Sequence, residues 1–145
     1  MDRIIGGGGT IRDHRGRWVV GCYSREEGDT AFKVEALALR DVLVLVWDRG
    51  SRQIICDVDC DELVRVVVDA EAVQLHSEFL VLNVTHQLLA REWNVKLNGV
   101  HRDSNAVADY LARRGAAASA PGFWVMENPD PDVEYLLLKD SLSVP

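Results

Sequence analysis

The sequence has few of the residues on which several protein classes depend. Its 145 residues include three cysteines, four prolines and 7% aromatic residues. An odd number of cysteines without a regular spacing argues against a disulfide framework and favours a reducing compartment, the cytosol or the nucleus. No apolar run is longer than Val42 to Trp47, so we expect no membrane-spanning helix. Met1 is followed by two charged residues, and we therefore expect no secretory signal.

The motifs of several common chemistries are also absent. The sequence contains no Gly-x-Ser-x-Gly, His-Glu-x-x-His or Gly-Lys-Ser/Thr motif. Cys56 and Cys60 have no further Cys or His at zinc-binding spacing. The acidic run that begins at Asp57 lacks the Gly and the bidentate Glu of an EF-hand. A net charge of −7 argues against strong non-specific binding to nucleic acid.

The hydrophobic patterning predicts an α/β fold with a mixed sheet, an antiparallel hairpin first and then alternating helices and parallel strands. We predict the hairpin at 9–24, a long helix from Asp29 or Thr30 to Arg49, a strand at 51–57, a helix from Cys60 or Asp61, a helix at 76–92, a strand at 93–100 and a final helix at 133–139. Residues 1–115 are predicted as one domain. Residues 116–145 are predicted as a linker and a C-terminal extension packed on it.

A short helix after the last predicted strand carries the first candidate site. Asn105 and Asp109 are four residues apart, which places them on one helical face. That face also carries Leu111 and Ala112, so we expect Asp109 to point inward. A carboxylate in that position is costly unless a partner neutralises it, which makes Asp109 a candidate metal ligand.

Two further candidates precede that helix. Glu35 lies on the apolar face of the long helix, either as a boundary residue that reaches solvent or as a ligand held by a cation. Asp57, Asp59 and Asp61 close a strand, at the edge where α/β proteins collect ligands. Asp61 is expected to cap the next helix. These three carboxylates either cap and solvate a loop or contribute to a site.

Together, these residues resemble the ribonuclease H family, and in particular its plant branch derived from reverse-transcriptase-like retroelements. The resemblance rests on Glu35, on Asp59 and on the Asn-x-x-Ala-Asp-x-Leu-Ala motif that contains Asp109. The segments 8–18 and 92–105 are similar to the opening hairpin and the later strand of that branch, and the tail is similar to its C-terminal extension. The resemblance covers nearly the whole chain from about Gly6.

The resemblance implies a two-metal phosphodiesterase that cleaves the RNA strand of an RNA–DNA hybrid with Mg²⁺ or Mn²⁺. Glu35, Asp59 and Asp109 would be the second, third and fourth metal ligands and the catalytic residues. Asn105 and His101 are the expected substrate-binding residues.

Two departures from the family pattern predict an incomplete site. The first metal-binding Asp of the family belongs to a strand that precedes the hairpin, and the sequence has no counterpart; Asp2 is the only carboxylate upstream. The chain therefore resembles a family member truncated at its N-terminus. Gly99 stands where the family has a mobile His, and His101 lies two residues further on.

The missing first strand bears on the sheet and on partners. That strand is central in the family, and here only Met1 to Ile5 could take its place. An unpaired inner edge would invite a second copy or another protein, so we expect a homodimer or a protein complex through this region. The predicted function is a catalytically impaired RNase H-like module that binds nucleic acid or protein. The alternative is an active, Mg²⁺-dependent ribonuclease H.

Overall fold

The computed structural model describes residues 4–28, 31–100 and 105–143 of the chain. Its elements in chain order are β1 (Ile4–Asp13), β2 (Trp18–Glu27), α1 (Ala31–Asp48), β3 (Gln53–Val58), α2 (Asp61–Val67), α3 (Ala70–Leu75), α4 (Phe79–Leu89), β4 (Asn94–Gly99), α5 (Ala106–Ala116), β5 (Gly122–Met126) and α6 (Pro131–Ser143). The predicted α/β class is confirmed. No helix in the described ranges has the length and apolar character that crossing a membrane requires.

The five strands form one mixed sheet in the order β4-β3-β1-β2-β5. Strands β3 and β4 are parallel, and every other neighbouring pair is antiparallel. Strand β5 extends the sheet beyond β2, although the sequence predicted no strand in this segment. The predicted final helix is longer than expected and forms α6. The division into domain and extension stays a prediction.

The sequence predicted a missing strand between the hairpin and the parallel strands of the sheet. Strand β1 of the hairpin fills this position. Residues 9–13 of β1 pair directly with β3, from Gly9 opposite Val58 to Asp13 opposite Ile54. The described part of the sheet therefore has no unpaired edge between β1 and β3. Ile4 and Ile5 pair with the end of β2, and Met1 lies outside the described residues. Dimerisation through this region stays a prediction.

The helices cover the sheet on both faces. Helices α1, α2 and α4 pack on one face through the larger core, in which Leu43, Leu63 and Leu82 are fully buried. Helices α5 and α6 pack on the other face around Leu111 and Val133. The alternation of side chains along a strand accounts for this division, because successive residues point to opposite faces.

Glycines allow α5 to lie unusually close to the sheet. A Cβ atom at Gly6 would lie 1.7 Å from the carbonyl oxygen of Ala112, and one at Gly115 would lie 1.9 Å from the carbonyl oxygen of Ser24. Neither distance is possible for a real side chain, so only glycine fits at these positions. Gly6 and Gly115 therefore permit a close approach of two backbones.

Candidate functional site

The three predicted metal ligands lie at the same end of the sheet. Asp59 follows β3 directly, and α5, which carries Asp109, begins after the parallel strand β4. Helix α1, which carries Glu35, begins after β2, whose last residue pairs with the first residue of β1. The topology thus brings the segments that carry these three residues to one end of the sheet. It also separates the ligands, because α1 and α5 pack on opposite faces of the sheet.

Glu35 forms a hydrogen bond with a second carboxyl group, which the sequence analysis did not identify. Glu26 on β2 is only 1% exposed and forms a hydrogen bond with Glu35. Burial and, to a smaller extent, the nearby charge of Glu35 together raise the pKa of Glu26 to about 9. Glu26 is therefore protonated at neutral pH, and its O–H group donates a hydrogen bond to the Glu35 carboxylate.

Ser24 and Gly7 complete the surroundings of Glu26. The Ser24 hydroxyl donates a hydrogen bond of 2.8 Å to Glu26 Oε1. A Cβ atom at Gly7 would lie 2.4 Å from the same oxygen and 3.2 Å from Glu35 Oε1. Because Gly7 has no side chain, the two carboxyl groups fit over β1. The available sequence signal was the alternation of Cys22, Ser24 and Glu26 on the face of β2 that meets α1.

Asp59 accepts a hydrogen bond from the backbone of β1. The donor is the Gly8 N–H group, and the N···O distance is 3.2 Å. A backbone N–H group offers its partial positive charge to the carboxylate from one fixed direction. Asp59 also lies close enough to Glu26 for its charge to raise the Glu26 pKa.

Asp57, two residues earlier, is bound entirely by side chains of the sheet. It is 4% exposed and forms an ion pair with Arg12, with Oδ2 2.8 Å from Nη2 and 2.9 Å from Nε. Asn98 Nδ2 donates to Oδ1 at 3.1 Å, and the Thr10 hydroxyl donates to Oδ2 at 3.5 Å. The ion pair links β1 to β3 and the Asn98 hydrogen bond links β3 to β4, which gives Asp57 a structural role.

Asp109 is less buried than the sequence predicted. Its side chain is 34% exposed and forms an ion pair of 2.8 Å with Arg113, four residues along the same helix. The neighbouring side chains of Ala108, Leu111 and Ala112 fill the inward face instead. The expectation of a costly inward carboxylate is therefore wrong, because Arg113 provides its counter-charge at the surface.

The start of α5 is capped as the sequence suggested. Asn105 is the N-cap residue, and its side-chain oxygen accepts a hydrogen bond of 2.9 Å from the N–H of Ala108. The substrate-binding role of Asn105 stays a prediction. His101 lies outside the described residues, as do Asp2 and the predicted helix caps Asp29 and Thr30.

Two features beside β3 differ from expectation. Helix α2 begins at Asp61 with Cys60 as its N-cap residue, so the cap predicted for Asp61 is not formed. A Cβ atom at Gly99, where the family has a mobile His, would lie 2.0 Å from Asp61 Oδ1. The Asp61 carboxylate therefore occupies the space that a side chain at this position would need.

The thiols near this end of the sheet are held in their neutral form. Burial raises the pKa of Cys22 and of Cys60 to about 12, and the charge of Glu35 acts in the same direction. The Cys60 thiol also donates a hydrogen bond to Glu35. Burial raises the pKa of Cys56 further still. A thiol that stays protonated is a poor nucleophile and a poor metal ligand, so we assign these cysteines to packing.

A cavity of about 30 Å³ lies between β1, β2 and α1 and reaches Glu35 and Asp59. Such a volume holds one or two water molecules.

The described carboxylates do not form a metal site in this conformation. Across 4–28, 31–100 and 105–143, no three His, Cys, Asp or Glu side chains are arranged to hold a metal ion. Glu35, Asp59 and Asp109 instead bind donors of the protein itself: Glu26, the Gly8 N–H group and Arg113. Their assignment as ligands of Mg²⁺ or Mn²⁺ stays a prediction.

Comparison with known proteins places the chain in a family. Residues 2–115 match the family model described as reverse transcriptase-like. The chain is 25% identical over 139 residues to an Arabidopsis thaliana protein named provisionally as a ribonuclease H protein. This match covers 96% of the chain but only 22% of that relative's length. No solved structure matches the chain significantly. The chain belongs to the reverse transcriptase-like family of RNase H-like proteins, as its hairpin and its Asn105–Asp109 motif had indicated.

Proposed function

We propose that this chain is a catalytically impaired RNase H-like module that binds nucleic acid or a protein partner. The observation that carries the proposal is the state of the three predicted metal ligands. Each of Glu35, Asp59 and Asp109 already binds a hydrogen-bond donor or a cation of the protein. Two-metal catalysis requires carboxylates that are ionised and that converge on the ions.

The Glu26–Glu35 pair supports this proposal most directly. A cation that bound Glu35 would have to compete with the Glu26 proton, which burial holds up to a pH of about 9. Metal binding of this kind releases a proton and is correspondingly weakened at neutral pH. At Asp59 the Gly8 N–H group occupies one carboxylate oxygen, Oδ2.

Active ribonuclease H is the second candidate. The shared location of the three carboxylates at one end of the sheet favours it, and so does the name of the Arabidopsis relative. Under this alternative, Glu35, Asp59 and Asp109 would hold Mg²⁺ or Mn²⁺ after a rearrangement of their present partners.

Cleavage of a labelled RNA–DNA hybrid separates the two candidates. The assay uses a high protein concentration, with Mg²⁺ and with Mn²⁺, and isothermal titration with each metal alone accompanies it. We expect no turnover and no stoichiometric metal binding at neutral pH. The variants are Asp59→Asn and, as a matched control, Asp48→Asn, an exposed carboxylate at the end of α1. Turnover that Asp59→Asn abolishes and Asp48→Asn leaves intact would establish the active enzyme and overturn the proposal.

A further inference from the structure

The end of the sheet opposite the three carboxylates carries two arginines stacked on one tryptophan. Trp47 lies in the last turn of α1, Arg52 lies just before β3, and Arg91 follows α4. The guanidinium carbons of Arg52 and Arg91 lie 3.6 Å and 5.1 Å from the centre of the Trp47 ring. Both distances are typical of cation–π contacts. Both arginines are exposed, whereas Trp47 is half-buried.

Hydrogen bonds and a second tryptophan ring fix the positions of Arg52 and Trp47. Arg52 Nη1 donates to the backbone carbonyl oxygens of Trp47 at 2.8 Å and of Ser51 at 3.0 Å. The Trp93 ring lies perpendicular to the Trp47 ring, with 5.1 Å between their centres. Trp93 Nε1 donates to the Leu88 carbonyl oxygen at 2.9 Å. The guanidinium of Arg52 is therefore oriented before any ligand arrives, and its Nε and Nη2 groups remain available as donors.

Within the described part of the chain, neither Arg52 nor Arg91 forms an ion pair with a carboxylate. Seven other arginines do so: Arg12, Arg17, Arg25, Arg40, Arg49, Arg113 and Arg114. Because both contact the same ring, the two guanidinium carbons lie at most about 9 Å apart, which is within the ~10 Å screening length of 0.1 M salt. An external anion would relieve their repulsion.

We propose that Arg52 and Arg91, held on Trp47, bind the phosphodiester backbone of a nucleic acid strand. Guanidinium groups match phosphate oxygens in charge and geometry. One strand carries a phosphate about every 3.4 Å along a duplex axis, so neighbouring phosphates of one strand can contact both arginines. The site lies at the end of the sheet away from Glu35, Asp59 and Asp109, and it therefore requires none of them.

Fluorescence anisotropy with a labelled RNA–DNA hybrid tests the proposal across a series of salt concentrations. The variants are Arg52→Gln, Arg91→Gln and the double variant. The matched control is Arg65→Gln, which removes the same charge from an exposed position on α2. Each lost phosphate contact should make the negative slope of log K, the association constant, against log salt shallower by about 0.9. It should also weaken binding roughly tenfold at low salt. Arg65→Gln should leave the slope unchanged.

Arg91→Gln keeps the test informative if Arg52→Gln disturbs the turn before β3, because Arg91 contacts the ring of Trp47 and makes no hydrogen bond to that turn. Titration with inorganic phosphate, followed by tryptophan fluorescence, separates a strand from a small anion. An unchanged slope in the double variant, or an equal loss in Arg65→Gln, would overturn the proposal. Arginine-dependent binding of inorganic phosphate without binding of the hybrid would also overturn it. The cleavage result for Asp59→Asn does not depend on these outcomes.

Discussion

Replacement of Glu26 by Gln should stabilise the protein at neutral pH. Gln has nearly the same shape as a protonated Glu, so its amide group can donate to Glu35 while its oxygen accepts from Ser24. The substitution removes a group whose ionisation opposes folding. Glu26 is 1% exposed, so solvent offers little screening of its charge.

The magnitude follows from the difference in pKa between the two states. The pKa of Glu26 is about 9 in the folded chain, against 4.5 for a glutamic acid side chain exposed to water. Between these two values only the folded chain keeps the proton, so the free energy of unfolding falls as pH rises. One pKa unit corresponds to about 1.4 kcal/mol, and the cost at pH 7 is therefore about 3 kcal/mol. The raised pKa belongs to the coupled pair of Glu26 and Glu35.

Urea unfolding from pH 4.5 to pH 8, followed by circular dichroism, measures this effect. The difference in the free energy of unfolding between Glu26→Gln and the parent protein should be near zero at pH 4.5. It should grow to about 3 kcal/mol at pH 7, or roughly 10 °C in Tm. Glu92→Gln is the matched control, because Glu92 is exposed in the turn before β4. A difference that does not change with pH, or a destabilisation at pH 7, would refute the reasoning.

Three substitutions test the packing and the ion pair of the sheet. Gly115→Ala should cost about 2 kcal/mol or more, because its Cβ would meet a backbone oxygen of β2 at 1.9 Å, and urea unfolding should show this loss despite the better helix propensity of Ala. Leu43→Ala should cost about 2–5 kcal/mol in the same assay, since Leu43 is 0% exposed, whereas Val44→Ala, at a 40% exposed position, should cost far less. Arg12→Met should lower the free energy of unfolding by about 1–3 kcal/mol in urea unfolding at pH 7, because it leaves the Asp57 carboxylate buried without its cation. An Arg12→Met variant as stable as the parent at pH 7 would show that Asn98 and Thr10 suffice for Asp57.

The sequence predicted the elements whose signals are local. The hairpin turn at Gly16, the amphipathic helix α1 and the capped start of α5 at Asn105 follow from residue type and spacing within one element. Strand β5 was missed, because its register with β2 is set by distant contacts such as the stacking of Trp124 on Tyr23. The tail carries too little internal periodicity to predict a strand.

The candidate site shows the same division between local and distant causes. Sequence alone determined which carboxylates gather at one end of the sheet, since the order of strands and helices brings Glu35, Asp59 and Asp109 there. Only the tertiary structure decided what Glu35 and Asp59 bind, because Glu26 and the Gly8 N–H group reach them from other elements of the fold. Arg113, by contrast, pairs with Asp109 at the i,i+4 spacing of one helix. Similarly, a sequence with a net charge of −7 gives no indication that Trp47 brings together Arg52 and Arg91, two arginines that form no ion pair within the described ranges.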